Sequence, residues 1–221
     1  MPARRIVVVN PNSNPEVTAG LDQALHPLRF EGGPEIVCET LAEGPFGIES
    51  QADVEAVTLP LARRVAEGDA AAWVIACYSD PGLALCREVA SAPVFGIAES
   101  GLLAALERGE RVGVVAILRR SIPRHRRHQR MLGLQARIAG ERALELTVAE
   151  LARETATWRR LETVGLELKE SDGADVVVLG CAGMSRYRRR LERALDLPVI
   201  DPTQAAVTRA VGTVALATAE A

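Results

Sequence analysis

Two cysteines sit in matched surroundings. Residues 71–100 read AAWVIACYSDPGLALCREVASAPVFGIAES, and residues 174–203 read ADVVVLGCAGMSRYRRRLERALDLPVIDPT. In each stretch an apolar run ends in a cysteine, Cys77 or Cys181. A small-residue turn, a helical segment, a proline and a second apolar run follow. Cys77 to Pro93 spans 16 residues and Cys181 to Pro198 spans 17; the cysteines are 104 positions apart in a chain of 221. A thiol at a strand-to-helix junction lies near a helix N-terminus, whose partial positive charge favours the thiolate. Two such thiols facing one cleft suit a 1,1-proton transfer. One sulfur, as thiolate, removes a proton from a carbon acid; the other, as thiol, protonates the opposite face and inverts the stereocentre. An isolated buried cysteine is a small hydrophobe, and that is the reading for Cys38 and Cys86. Duplicated placement makes packing alone a poorer explanation of Cys77 and Cys181.

Other residues of the same turns can serve a carbanion. The backbone amides of Tyr78, Ser79, Ala182 and Gly183 follow the two apolar runs and are candidate donors to an enolate oxygen. The Ser79 hydroxyl adds a further donor. Gly180, Ala182 and Gly183 allow backbone to approach a ligand closely. Asn10, Asn12 and Ser13 end the first apolar run. An Asn amide both donates to and accepts from an imide ring, and Asn and Ser are also cap and turn residues. Asn10 and Ser13 are kept as candidate substrate contacts; Asn12 and Asp80 are read as cap or turn residues. Ser121 is a candidate ligand contact or the cap of the helix that includes Pro123. Glu99 reads as a helix-start carboxylate, and Trp73 and Trp158 as packing residues.

The elements that must position these groups are short, β-branched, continuous apolar runs. They are Ile6–Val9, Ala72–Ala76, Val94–Ile97, Val112–Ile117, Val176–Leu179 and Val199–Ile200. Such runs suit parallel strands buried on both faces. Helical patterns lie between them at 15–29, 53–67, 81–90, 99–108, 122–132, 147–171, 184–195 and 203–218. The alternation predicts an α/β fold with right-handed βαβ crossovers. The repeat predicts two pseudo-symmetric lobes, each with a mainly parallel sheet flanked by helices, and an active site in the cleft between them. The first lobe is expected at 1–98 plus 201–221 and the second at 99–200. The last helix then crosses back to the first lobe. In open parallel sheets ligands bind beyond the strand C-termini, where both cysteines sit.

Composition bounds the rest. The 26 basic residues are 25 arginines and Lys169 alone, so a Schiff-base mechanism, including one using pyridoxal phosphate, has a single possible lysine. Aromatics are 3% and the net charge is −3, which argues against stacking on single-stranded nucleic acid and against a global polyanion-binding field. The N-terminal apolar run has four residues, too short for a secretory segment, and no stretch reaches membrane-spanning length. A reducing cytoplasmic setting and free thiols are expected. The cysteine spacings do not form a metal motif, so no metal is expected. Arg119–Arg130, RRSIPRHRRHQR, reads as a solvated helix face or a subunit contact.

Several strings resemble the hydantoin racemase group of the aspartate/glutamate racemase superfamily. They are Asn10-Pro11-Asn12-Ser13, Ile48-Glu49-Ser50, Ile75-Ala76-Cys77-Tyr78-Ser79-Asp80-Pro81-Gly82, Phe95-Gly96-Ile97-Ala98-Glu99, Arg120-Ser121-Ile122-Pro123 and Leu179-Gly180-Cys181-Ala182-Gly183-Met184. The resemblance runs from about residue 4 to about 215. It implies cofactor-independent racemisation of 5-substituted hydantoins or allantoin, with Cys77 and Cys181 as acid and base. It also implies that Ile48 lines the pocket and that the protein is a homo-oligomer. Arylmalonate decarboxylases of the superfamily keep only the second cysteine, whereas this chain has both. Amino-acid racemases typically read Cys-Asn-Thr where this chain reads Cys77-Tyr78-Ser79. One departure is Val115-Ala116-Ile117-Leu118, where hydantoin racemases often carry threonines; if those hydroxyls touch substrate, specificity differs here. Maleate cis-trans isomerisation by the same cysteine pair stays open. So does a non-catalytic protein that binds a small molecule or senses oxidants through one thiol.

Overall fold

A computed structural model describes residues 5–219. Residues 1–4 and 220–221 of the expected first lobe lie outside that range. Four strands, β1 (Arg5–Asn10), β2 (Glu35–Thr40), β3 (Ala72–Ile75) and β4 (Val94–Gly96), form one sheet in the order β2-β1-β3-β4. Another four, β5 (Val112–Ala116), β6 (Ile138–Ala143), β7 (Val176–Leu179) and β8 (Val199–Ile200), form a second sheet in the order β6-β5-β7-β8. Every pairing is parallel. The helices are α1 (Pro15–Leu25), α2 (Gln51–Glu67), α3 (Leu83–Val89), α4 (Ile97–Leu106), α5 (Ile122–Met131), α6 (Glu154–Glu170), α7 (Arg188–Leu195) and α8 (Pro202–Ala219).

The two halves repeat bond for bond. Ala76 N donates to Val9 O at 2.9 Å, and its counterpart Gly180 N donates to Val115 O at 2.8 Å. Trp73 N reaches Pro93 O at 2.9 Å, and Val177 N reaches Pro198 O at 2.9 Å. Central strands are buried on both faces, which is why β1, β3, β5 and β7 read as uninterrupted apolar runs. Full burial of one such Val or Ile contributes about 1.5–3 kcal/mol. Helix α8 packs on β1, β3, β4 and α4.

The structure corrects several boundaries. β2 (EIVCET) and β6 (IAGERA) lie outside the expected strands; they are sheet edges, half-buried and mixed in polarity, and carry no continuous apolar run. The helix expected over 147–171 is two pieces, because Arg153 takes φ −78° and ψ 84° between a 3₁₀ turn at Ala149–Ala152 and α6. The helix expected over 184–195 starts as a 3₁₀ segment at Ala182–Tyr187 and becomes α7 only at Arg188. α1 stops at Leu25, where Pro27 joins a further 3₁₀ turn. α2 starts two residues early, on a capping box of Ser50 and Asp53. Among the described residues no helix is long and apolar enough to cross a membrane.

Candidate active site

Cys77 and Cys181 follow β3 and β7 and open on the same cavity. The turns that present them are built alike. The amide two residues on donates to each sulfur, Ser79 N to Cys77 and Gly183 N to Cys181. The amide three residues on closes the turn: Asp80 N to Cys77 O at 2.9 Å and Met184 N to Cys181 O at 3.2 Å. Gly180 is required where it stands, because a Cβ there would lie 2.5 Å from the Val115 carbonyl oxygen.

The first turn is tied down by Asp80. That residue takes a left-handed φ of 41°, and its carboxylate accepts the Ala98 and Glu99 amides at 2.9 Å each, capping α4. A Cβ on Gly96 would come within 2.3 Å of the same carboxylate, so glycine there lets the cap seat. Asp80 thus acts as a cap, and Glu99 starts α4 and pairs with Arg87 at 3.0 Å.

The cavity wall draws on both sheets. Asn12, Ile48 and Ala76–Ser79 come from the first; Ile117, Ser121, Arg124, His125 and Gly180–Gly183 come from the second. Val17 and Val148 complete it. Ile48, Tyr78, Ser79, Ser121, Ala182 and Gly183 therefore stand with the two cysteines. Asn10 and Ser13 do not line the cavity. Asn10 is fully buried, with Nδ2 donating to Asn12 Oδ1 at 3.0 Å, Asn14 O at 3.2 Å and Thr18 Oγ1 at 3.0 Å. The Ser13 amide donates to Pro45 O at 2.9 Å. Asn12 lines the cavity, its Oδ1 engaged by Asn10 and by the Asn14 amide at 3.0 Å, and Asn14 is the residue that caps α1.

Arg124 and His125 belong to the site although their sequence neighbourhood reads as a solvated basic face. Arg124 Nε donates to Ser79 Oγ at 2.8 Å and Arg124 Nη2 to Ser121 Oγ at 3.0 Å. His125 Nδ1 meets Glu141 Oε1 at 2.5 Å, and its ring packs edge-on against Tyr78 at 5.2 Å. The signal in the sequence was spacing: Ser121 and Arg124 are one helical turn apart, as are His125 and Gln129, both buried on α5. Lys169 lies elsewhere, donating to Leu195 O at 2.6 Å. Among the described residues, no three His, Cys, Asp or Glu side chains could together hold a metal ion.

Both thiols keep part of their surface, yet desolvation dominates their acidity. Burial pushes Cys77 up to about 11, opposed by the Ser79 amide and the Arg124 charge. Burial pushes Cys181 up to about 12, opposed by the Gly183 amide and reinforced by the Cys77 and Glu49 charges. The cavity holds about 30 Å³. A groove of about 670 Å³ adjoins it and shares Val17, Val148, Ala182 and Gly183.

The geometry can be compared with known proteins. The family model described as Asp/Glu/Hydantoin racemase matches residues 6–210. A hydantoin racemase of Rhizobium meliloti is 36% identical over 211 residues, covering 93% of this chain and 86% of that protein. One from Paenarthrobacter aurescens is 35% identical over 221 residues, covering 96% and 92%. The solved allantoin racemase from Klebsiella pneumoniae superposes with a TM-score of 0.90 at 32% identity, covering 96% of this chain and 88% of that one.

Proposed function

The chain belongs to the Asp/Glu/hydantoin racemase family, and from that premise we propose that it racemises a 5-substituted hydantoin or allantoin without a cofactor, Cys77 and Cys181 being the two acid–base groups. As a member of that family it is an isomerase of the racemase type. One observation carries the two-cysteine reading: matched turns deliver both thiols, each with a backbone amide on its sulfur, to one cavity.

The chemistry follows from the substrate class. The neighbouring carbonyl acidifies the hydantoin C5 proton. A thiolate takes that proton; the C5–H bond breaks, an S–H bond forms, and the electron pair moves to the carbonyl oxygen. The opposite thiol then gives its proton to the other face of C5, and the enolate collapses. The net change is one proton passed between sulfurs and an inverted centre. The carbonyl is the electron sink, so no further group is required. Asn12, at the cavity wall, would offer its amide N–H to a ring carbonyl. Ile48 and Tyr78 supply apolar wall, and Ala182 and Gly183 leave room for the ring at Cys181. Both thiols titrate above neutrality, so the monoanion that starts the reaction grows about tenfold per pH unit below the lower midpoint.

The test is a polarimetric screen of separate D and L enantiomers of alkyl and aryl hydantoins and of allantoin. Decay of rotation to zero for at least one compound, lost in Cys77→Ala and in Cys181→Ala, is expected. Undiminished racemisation by either variant overturns the two-cysteine reading.

A further inference from the structure

The two thiols share a backbone pattern but not their neighbours. Beside Cys77, Arg124 donates through Nε to the Ser79 hydroxyl at 2.8 Å, and that hydroxyl is itself hydrogen-bonded to the Cys77 sulfur. The guanidinium also reaches Ser121 at 3.0 Å, so one fork spans hydroxyls from both halves of the molecule. At Cys181 the charge that counts is a carboxylate, Glu49, which works against the thiolate and is held by Arg120 at 2.7 Å and by the Val148 amide at 3.0 Å. The residue two beyond Cys181 is Gly183, which has no hydroxyl to relay a charge.

We propose that Arg124 makes the cysteine pair unequal at rest: Cys77 is the thiol that ionises first, and Cys181 is the one that stays protonated. The proposal rests on the reading of both cysteines as acid and base. Arg124 acts through Ser79 and Cys77, as a positioning residue, rather than on the substrate carbon. Other charges around it have defined signs. Asp80 works against the Cys77 thiolate from the same turn. Asp53 favours the Arg124 cation, and Arg120 and Arg127 oppose it. His125, next along α5, is committed to Glu141. A lysine would keep the positive charge but offer a point donor in place of the fork.

Enantiomer kinetics cannot read this inequality, because an equilibrium constant of one forces kcat/KM to be equal in both directions. Alkylation can. Iodoacetamide labelling below pH 9 proceeds in proportion to the thiolate fraction, and peptide mass spectrometry follows each cysteine separately. Arg124→Gln is expected to slow labelling of Cys77 about tenfold, one pKa unit, while Cys181 changes less than about twofold. Its kcat/KM falls by a similar factor, and the deficit shrinks as pH rises. Arg124→Lys recovers part of both, which separates a charge effect from misfolding. Unchanged labelling of Cys77 in Arg124→Gln, or equal slowing of both thiols, overturns the proposal. The outcomes separate from the underlying reading. If Cys77→Ala or Cys181→Ala racemises normally while the Arg124 effect on labelling persists, the acid–base reading fails and the electrostatic asymmetry stands.

Discussion

The Cys77 turn and the Cys181 turn are the same backbone device in different company. Each gives its sulfur the amide of the second residue on, and each closes with the amide of the third. The first turn is then dressed with polar side chains: Ser79, the left-handed Asp80 and Arg124 across the cavity. The second is stripped to Gly180, Ala182 and Gly183 and runs straight into a 3₁₀ segment. On the proposed two-base reading the shared backbone serves a donor and an acceptor that trade places, and the differing side chains set which thiol ionises first.

The largest expected effect breaks both turns equally. Cys77→Ala and Cys181→Ala each lose about a thousandfold or more in racemisation, as removal of a positioned acid–base group does, while Cys86→Ala stays within about twofold by polarimetry. The next separates the halves. Gly180→Ala destabilises the fold by about 1–3 kcal/mol in urea titration, because its Cβ meets the Val115 carbonyl at 2.5 Å. The first half already carries Ala76 at the equivalent place, and Ala76→Gly costs less, about 0.5–1 kcal/mol. Ser79→Ala touches one turn only and lowers kcat/KM about threefold to tenfold, the worth of one hydrogen bond. Val148→Ala opens the wall shared with the groove and lowers KM for bulky C5 substituents about threefold, leaving allantoin little changed. The smallest concerns pH. The unfolded thiols ionise near 9.0 and the folded Cys77 near about 11. The folded form therefore holds its proton longer, and its stabilisation is present below about 9 and lost as pH rises toward 11. Thermal melts should fall over that interval, and fall less in the Cys77→Ala, Cys181→Ala double variant.

What the sequence disclosed follows burial. β1, β3, β5 and β7 are covered on both faces and announce themselves as apolar runs. β2 and β6 are edges, and Glu35, Glu39, Glu141 and Arg142 hide them among loops. The cysteines were legible because a duplicated junction leaves a duplicated string. Arg124 and His125 were not, because a run with six arginines looks uniformly solvated. The packing of α5 against β6 decides which of its side chains turn inward. Asn10 and Asn12 show the same limit at finer scale. Asn10 ends β1 and Asn12 lies two residues beyond it; the turn consumes the first while the second reaches the cavity wall.

The two-base claim is tested most directly by running one pure hydantoin enantiomer in D₂O with the wild-type protein. Early in the reaction, chiral separation and mass spectrometry report the isotope at C5 in each enantiomer. With different sulfurs serving the two faces, deuterium is expected in the product enantiomer and protium in the unconverted substrate. Protium carried into the product, or deuterium appearing equally early in both enantiomers, would contradict it.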